Sequence, residues 1–164
     1  MTTTEDQAGT RTGLEWLRSF RAPEMAAPED RESRTQALLE DLDQRILVLD
    51  GATGTAMQGI ELGPEDFGGE ELEGCNENLC RVRPDVVLEV HRGYLAAGAD
   101  IVETNTFGAT PLVLDEYGLG KDTFELNRLA AEQARQACAE VEKPGQLRFV
   151  CGSMGPTTKA ISVT

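Results

Sequence analysis

Short polar stretches follow three apolar segments of this sequence, and their residue types suit the binding of a small ligand. Each stretch combines glycine with hydroxyl, amide or carboxyl side chains. Backbone N–H groups in glycine-rich turns bind anions, so a small carboxylate is one ligand that fits. The stretches are Asp50–Thr55, Glu103–Thr110 and Gly152–Lys159.

The first of these turns lacks the known signatures of a nucleotide-binding loop. Residues 51–54 read Gly-x-x-Gly, whereas the dinucleotide fingerprint is Gly-x-Gly-x-x-Gly. The Gly-Lys-Ser/Thr ending of a phosphate-binding loop is also absent. The turn favours a small ligand over a nucleotide, and a tight turn that needs small residues only for structural reasons is an equally good interpretation.

Glu103 stands out because it directly follows the apolar residues Ile101 and Val102. Burying an unpaired carboxylate in a strand covered by helices costs several kcal/mol, so Glu103 needs a partner. Contact with a ligand would provide one. A hydrogen-bonded polar layer inside the fold is the alternative.

The four cysteines and the single histidine form no recognisable metal or nucleophile motif. Four residues, rather than two, separate Cys75 from Cys80, and Cys138 and Cys151 lie in a predicted helix and a predicted strand. Zinc takes three or four Cys or His ligands in close geometry, so this spacing does not predict a zinc site. His91 lies in a predicted helix, where a surface or interhelix role is expected, and it completes no hydrolase triad. We predict no catalytic residue and no metal ligand.

Predicted strands position the polar stretches. Continuous apolar runs at residues 46–50, 100–104 and 148–152 predict strands that are buried on both faces. The long crossovers between them imply parallel pairing and an α/β fold. An open doubly wound sheet and the first part of a (β/α)8 barrel both fit, and in either one ligands bind at the carboxyl ends of the strands.

Two long helices are predicted between the strands. Apolar residues at helical spacing follow Arg83-Pro-Asp and end before Gly98. A second helix runs to Val141, and Asp122 with Glu125 forms a capping-box pattern at its start.

Negative charge is concentrated in two segments. Residues 1–44 form an acidic leader with helical patterns at Thr12–Phe20 and Ala37–Leu42, and the α/β domain occupies residues 45–164. The leader is either poorly ordered or a docked helix that covers the base of the domain. The stretch Gly59–Glu77 has seven acids and no base, which predicts a long acidic loop near the mouth of the site.

The composition excludes several classes of partner. The chain has 15 Lys+Arg and 29 Asp+Glu, a net charge of −14, so neither nucleic acid nor an anionic membrane is an expected partner. No apolar run approaches the roughly 20 residues of a membrane-spanning helix. The first residues do not resemble a signal peptide, and four cysteines are too few for a disulfide scaffold. These features predict a cytoplasmic protein with reduced thiols.

Five motifs, in order along residues 45–164, carry a family resemblance. They are Asp50–Met57, Gly74–Leu79, Arg83–Asp85, Gly98–Phe107 and Gly155–Thr157. Together they resemble the homocysteine S-methyltransferase family. Within it, they are most similar to the N-terminal, homocysteine-binding module of the cobalamin-dependent methionine synthases.

The resemblance implies a fold and a reaction. The family's module is a (β/α)8 TIM-type barrel of about 250 residues, so this chain corresponds to about its first three β/α units. In the family, zinc held by cysteines keeps the homocysteine sulfur as a thiolate, which receives a methyl group from methylcobalamin, and ultimately from methyltetrahydrofolate, to give methionine. No cysteine of this chain matches a zinc ligand. The resemblance therefore implies a methyltransferase fragment that is inactive alone, with zinc, cobalamin and folate bound elsewhere in a longer protein.

By position, the resemblance implies four residues that contact the amino-acid end of homocysteine. They are Asp50 and Gly51 in the first turn, and Thr104 and Asn105 after the second strand. Asp50 or its neighbouring backbone would face the ammonium or the carboxylate, and Thr104 would form a hydrogen bond. Two alternatives stay open: an enzyme that uses a sulfonium or betaine donor, and a non-catalytic domain that binds a small molecule.

Overall fold

The structure, a computed structural model, describes residues 31–158. No helix in that range is long and apolar enough to cross a membrane. The strands are β1 (Ile101–Glu103) and β2 (Phe149–Cys151). The α-helices are α1 (Arg31–Gln44), α2 (Thr53–Gln58), α3 (Pro64–Phe67), α4 (Leu79–Val82), α5 (Pro84–Ala96), α6 (Pro111–Leu114) and α7 (Thr123–Val141), and turns of 3-10 helix cover Glu70–Leu72, Asn76–Asn78, Asp115–Tyr117 and Gly120–Asp122.

β1 and β2 form a parallel pair, which confirms the arrangement expected from the long crossover between them. Glu103 at the end of β1 lies opposite Cys151. On the other edge of β1, Leu49 forms an isolated parallel bridge with Ile101, and the Asp50 N–H donates to the Ile101 carbonyl at 2.9 Å. The carboxyl ends of three parallel segments therefore meet at one edge of the sheet.

The strand predicted at residues 46–50 is reduced to that bridge. Its side chains are not buried on both faces, since Ile46 is 90% and Val48 is 54% exposed. An apolar run is buried only where a second layer covers it. Among the described residues no helix covers these two side chains, because the long helices pack over β1 and β2.

Helices α5 and α7 confirm the two long helices predicted from apolar spacing. α5 begins at Pro84. Gly98 follows the helix with a φ of +107°, a backbone conformation that residues other than glycine rarely adopt. Leu95 of α5 and Ala134 of α7 pack in one buried cluster with Val102 of β1. Both long helices therefore cover the same face of the sheet.

The capping box predicted at Asp122 and Glu125 does not form. Asp122 makes no side-chain hydrogen bond to the start of α7, and Glu125 instead pairs with Arg128 at 2.7 Å. Arg128 lies three residues along the same helix, and its guanidinium offers the carboxylate a charged donor in place of a backbone N–H.

The acidic segment Gly59–Glu77 is not the continuous loop that its composition predicts. It contains α3 and a 3-10 turn, and Phe67 is buried in a core cluster. The Asn78 side chain donates to the Phe67 carbonyl at 2.8 Å, and Asp66 pairs with Arg83. Apolar residues spaced among the acids therefore anchor the segment. A prediction based on the number of acids did not take these apolar residues into account.

Helix α1 shows that residues 31–44 of the acidic leader are docked. Arg34 pairs with Glu142 at 2.6 Å and donates to the carbonyl of Arg148, which immediately precedes β2. The helix thus attaches at the amino end of the sheet, opposite the predicted site, although Leu42 of its predicted apolar stripe is exposed. The helix predicted at Thr12–Phe20 lies outside the described residues.

Candidate functional site

A cavity of about 360 Å³ opens where the three parallel segments end. This is the position at which the sequence predicts a ligand site. Its walls come from the turn that begins α2, the 3-10 turn Asn76–Asn78, the end of β1 and the residue pair after β2. The lining residues are Ala52, Thr53, Gly54, Thr55, Asn76, Glu77, Glu103, Thr104, Asn105, Phe107 and Ser153.

Asp50 is buried next to these lining residues and links the first segment to β1. Its Oδ1 accepts a hydrogen bond from the Glu103 N–H at 2.8 Å, whereas its Oδ2 has no partner among the described residues. Burial raises the pKa of Asp50 to about 6; the hydrogen bond opposes this shift and the charge of Glu103 adds to it. A buried carboxylate oxygen without a partner favours a ligand that carries positive charge or hydrogen-bond donors.

Glu103 lines the cavity from the end of β1 and has the partner that the sequence requires. The Ser153 hydroxyl, from the residues after β2, donates to Glu103 Oε2 at 3.3 Å. The carboxylate is half-buried and has a face on the cavity. An internal partner is therefore confirmed, and contact between Glu103 and a ligand stays a prediction.

Thr104, Thr106 and Ser153 form a closed ring of hydrogen bonds between the ends of β1 and β2. The Ser153 N–H donates to Thr104 Oγ1 at 3.1 Å, Thr106 Oγ1 donates to the Ser153 carbonyl at 2.8 Å, and the two threonine hydroxyls lie 2.6 Å apart. Thr106 has one hydroxyl proton, so the Thr104 hydroxyl must be the donor in the third bond. Thr104 therefore has no proton left for a ligand.

Asn105 and Gly51 also lie at this end of the sheet. The Asn105 side-chain N–H donates to the Asn76 carbonyl at 2.7 Å, which ties the 3-10 turn Asn76–Asn78 to the end of β1. Asn105 lines the cavity, and its contact with a ligand stays a prediction. Gly51 does not line the cavity, and a Cβ atom at Gly51 would meet no atom within 4 Å, so the space beside its backbone is open.

Two lining residues, Asn76 and Glu77, lie outside the three polar stretches in which the sequence predicts ligand contacts. Glu77 and Asn76 come from the acidic segment, and the Gly108 N–H donates to Glu77 Oε1 at 2.7 Å. Phe107 is 61% exposed and lies at the cavity. The sequence signal for Glu77 was the acidic stretch itself, which was expected near the mouth of the site but did not single out one of its seven acids.

Carboxylates dominate the charge of the cavity. Glu77 and Glu103 line it, Asp50 adjoins it, and no lysine or arginine is among its lining residues in the described part of the chain. At neutral pH this charge attracts a cationic group, such as an ammonium, and repels an isolated anion.

The cysteines do not fit the zinc ion that the resemblance implies. Burial raises the pKa of the Cys75, Cys80 and Cys138 thiols to about 11, 12 and 11, which disfavours the thiolate form that zinc binds. Cys151 is exposed. Within residues 31–158 no group of three or more His, Cys, Asp or Glu side chains could hold a metal ion.

His91 is buried in α5, so the surface role considered for it is wrong, and the interhelix role stays a prediction. Its side chain is fully inaccessible, and neither ring nitrogen has a hydrogen-bond partner among the described residues. Burial lowers the pKa of His91 to about 4, which keeps the ring neutral at physiological pH.

Known proteins with similar sequences are methyltransferases. A family model described as homocysteine S-methyltransferase matches residues 47–163. The methionine synthases of Mycobacterium leprae and Mycobacterium tuberculosis are 48% and 47% identical to this chain over 122 residues. Each alignment covers 74% of this chain and 10% of the relative, so the chain spans about a tenth of the length of these proteins.

Known crystal structures with a similar fold carry the same family name. The homocysteine methyltransferase MmuM from Escherichia coli, in its oxidised and metallated forms, matches with a TM-score of 0.59 in both cases. The sequence identities are 29% and 28%, and the matches cover 73% of this chain and 41% of MmuM.

Proposed function

We propose, because this chain belongs to the homocysteine S-methyltransferase family, that its cavity binds the amino-acid end of homocysteine. The observation that carries the proposal is Asp50 Oδ2, a buried oxygen without a partner next to a cavity lined by Glu77 and Glu103. The ammonium group of an amino acid supplies both the charge and the hydrogen-bond donors that these carboxylates lack.

Each predicted substrate residue has a role in this proposal. Asp50 and Glu103 face the ammonium, and the Asn105 side-chain oxygen accepts a further hydrogen bond from it. The open space at Gly51 lets the substrate carboxylate approach backbone N–H groups of the turn. Thr104 has an indirect role, because its hydroxyl belongs to the hydrogen-bonded ring that it forms with Thr106 and Ser153.

The proposed reaction is methyl transfer to the homocysteine sulfur. A bond forms between sulfur and the methyl carbon, the bond between that carbon and its donor breaks, and the thiol proton leaves, so the product is methionine. We propose methylcobalamin as the donor, with methyltetrahydrofolate as the ultimate source. Support comes from the motifs and from the two methionine synthase relatives. Because residues 31–158 do not fit zinc, we expect this chain alone to bind homocysteine without methylating it.

We also propose that the sheet belongs to a β/α barrel. The support is that α5 and α7 both cover one face of the sheet, which buries Val102. A doubly wound sheet would carry helices on both faces.

Calorimetric titration of the 164-residue chain with homocysteine tests the proposed binding. We expect binding that a zinc chelator does not change, and affinity at least about tenfold lower in Asp50→Asn and Glu103→Gln. Glu140→Gln is the matched control, since Glu140 pairs with Arg92 on the surface and neither residue lines the cavity. Absence of binding by a folded wild-type chain, or equal affinity in all four proteins, would overturn the proposal.

A second candidate is an enzyme whose methyl donor is itself a cation, such as a sulfonium or betaine. The favouring observation is Phe107, an exposed ring beside the carboxylates Glu77 and Glu103, because aromatic faces attract onium groups. NMR titration with betaine and with a methylsulfonium compound tests it. Binding that weakens in Phe107→Leu supports this candidate, and absence of binding at millimolar ligand removes it.

A further inference from the structure

We propose that Ser153 is a positioning residue that aims the Glu103 carboxylate into the cavity. Glu103 is held at two points: its backbone N–H donates to Asp50 Oδ1 at 2.8 Å, and its Oε2 accepts from the Ser153 hydroxyl at 3.3 Å. The first contact fixes the position of the Glu103 backbone. The second selects the direction of an otherwise flexible side chain.

Ser153 can serve in this way because its own backbone is fixed. Its N–H donates to Thr104 Oγ1, and its carbonyl accepts from Thr106 Oγ1. All three residues are buried. The ring uses both backbone polar groups of Ser153, so its hydroxyl is the group that remains to reach Glu103.

The direction of each bond in the ring follows from the number of protons. Ser153 N–H donates to Thr104, Thr104 donates to Thr106, and Thr106 donates back to the Ser153 carbonyl. No hydroxyl in the ring can rotate without breaking a bond. The ring therefore links the carboxyl ends of β1 and β2 rigidly and transmits that rigidity to Glu103.

This inference rests on the proposed function only for the identity of the ligand. The test compares Ser153→Ala, which removes the hydroxyl but keeps the backbone bonds, with Ser153→Thr, which restores a hydroxyl. Thr106→Val removes a ring hydroxyl with little change of shape. The matched control is Thr123→Val, because Thr123 is equally buried and donates one hydrogen bond at 2.8 Å to Gly120, away from the cavity.

Two measurements are made on each variant of the 164-residue chain. Calorimetry gives the dissociation constant for homocysteine, and the carboxylate carbon resonance of Glu103, recorded by NMR without ligand, gives the environment of that side chain. We expect Ser153→Ala and Thr106→Val to weaken binding about five- to tenfold and to move the Glu103 resonance. Ser153→Thr should restore both values, and Thr123→Val should change neither.

The outcomes separate the two proposals. If homocysteine binds the wild type and Ser153→Ala changes neither its affinity nor the Glu103 resonance, the positioning role is wrong. If the wild type does not bind homocysteine but the Glu103 resonance moves in Ser153→Ala and returns in Ser153→Thr, the positioning role holds and the proposed substrate is wrong.

Discussion

Asp50 Oδ1 and the backbone N–H of Glu103 are joined by a 2.8 Å hydrogen bond between two parallel segments. The bond holds two carboxylates near each other at the edge of the cavity. Burial and the nearby charge of Glu103 both raise the pKa of Asp50, and a cation bound between the two carboxylates relieves that penalty. A bound ammonium ligand therefore lowers the free energy of this pair of carboxylates.

Asp50→Asn should weaken homocysteine binding without damaging the fold. The asparagine oxygen can still accept the Glu103 N–H, but the charge that faces the ammonium is lost. At pH 7 the variant should be at least as stable as the wild type, because burial raises the pKa of Asp50 from 3.8 to about 6, a penalty of about 3 kcal/mol. Urea denaturation and calorimetry measure both effects. A destabilised variant with unchanged affinity would contradict this prediction.

His91→Leu should make the protein less sensitive to acid. The pKa of His91 is about 4 in the folded chain and 6.5 as its ordinary value, so the unfolded state takes up the proton first. His91 therefore lowers stability as the pH falls from 6.5 to 4. We expect the variant to gain up to about 3 kcal/mol over the wild type across this range, measured by urea denaturation at several pH values.

Asp50 provides the internal control for this pH experiment, because its contribution to stability changes with pH in the opposite direction to that of His91. The pKa of Asp50 in the folded chain lies above its ordinary value, so the folded state takes up the proton first and gains stability as the pH falls from about 6 to 3.8. Relative to the wild type, Asp50→Asn should thus lose stability on acidification while His91→Leu gains it. Parallel pH curves for the two variants would refute both assignments.

The sequence predicted the elements whose signal is local. The apolar spacing that produced α5 and α7 reflects one buried face on each helix, and the runs at β1 and β2 reflect burial under those helices. The edge at which Asp50, Thr104 and Asn105 meet followed from parallel pairing alone. These features depend on near neighbours in the chain, so a single sequence carries them.

The remaining features depend on contacts between distant residues. Nothing near Ile46 in sequence indicates that its side chain is exposed, since that depends on which layer covers it. Glu77 reaches the cavity because the Gly108 N–H, 31 residues away, holds its carboxylate. Ser153 acts through Thr104 and Thr106, 49 and 47 residues away. Spacing arguments do not detect such pairs.

Glu142→Gln should loosen the attachment of α1. Burial opposes the ionisation of Glu142, but hydrogen bonds from Arg34, Arg135 and the Arg148 N–H outweigh it and lower the pKa of Glu142 to about 2. Without that charge, amide hydrogen exchange in residues 31–44 should become at least about tenfold faster. Glu140→Gln, which breaks a pair between α5 and α7, should leave exchange in α1 unchanged. Unchanged protection of α1 in Glu142→Gln would show that other contacts hold it.

Gly108→Ala should displace Glu77 from the cavity wall. A Cβ atom at Gly108 would lie 2.7 Å from Glu77 Oε1, so the side chain must move and its hydrogen bond to the Gly108 N–H is lost. We expect a loss of about 1 to 3 kcal/mol in the free energy of unfolding and weaker homocysteine binding. Gly93→Ala, in α5 with open space around it, is the matched control and should not weaken binding. Equal affinity in both variants would exclude Glu77 from the binding site.

One of the four thiols should react rapidly in the folded chain. Cys151 is exposed, whereas Cys75, Cys80 and Cys138 are buried and burial raises the pKa of each thiol to 11 or above. A chromogenic disulfide reagent at pH 8 should therefore titrate one thiol quickly and all four after denaturation. Cys151→Ser should abolish the fast phase. Zinc should not slow that phase in the wild type, because within residues 31–158 no group of three or more His, Cys, Asp or Glu side chains could hold the metal at Cys151. Strong protection of Cys151 by zinc would contradict the conclusion that this part of the chain does not fit the metal.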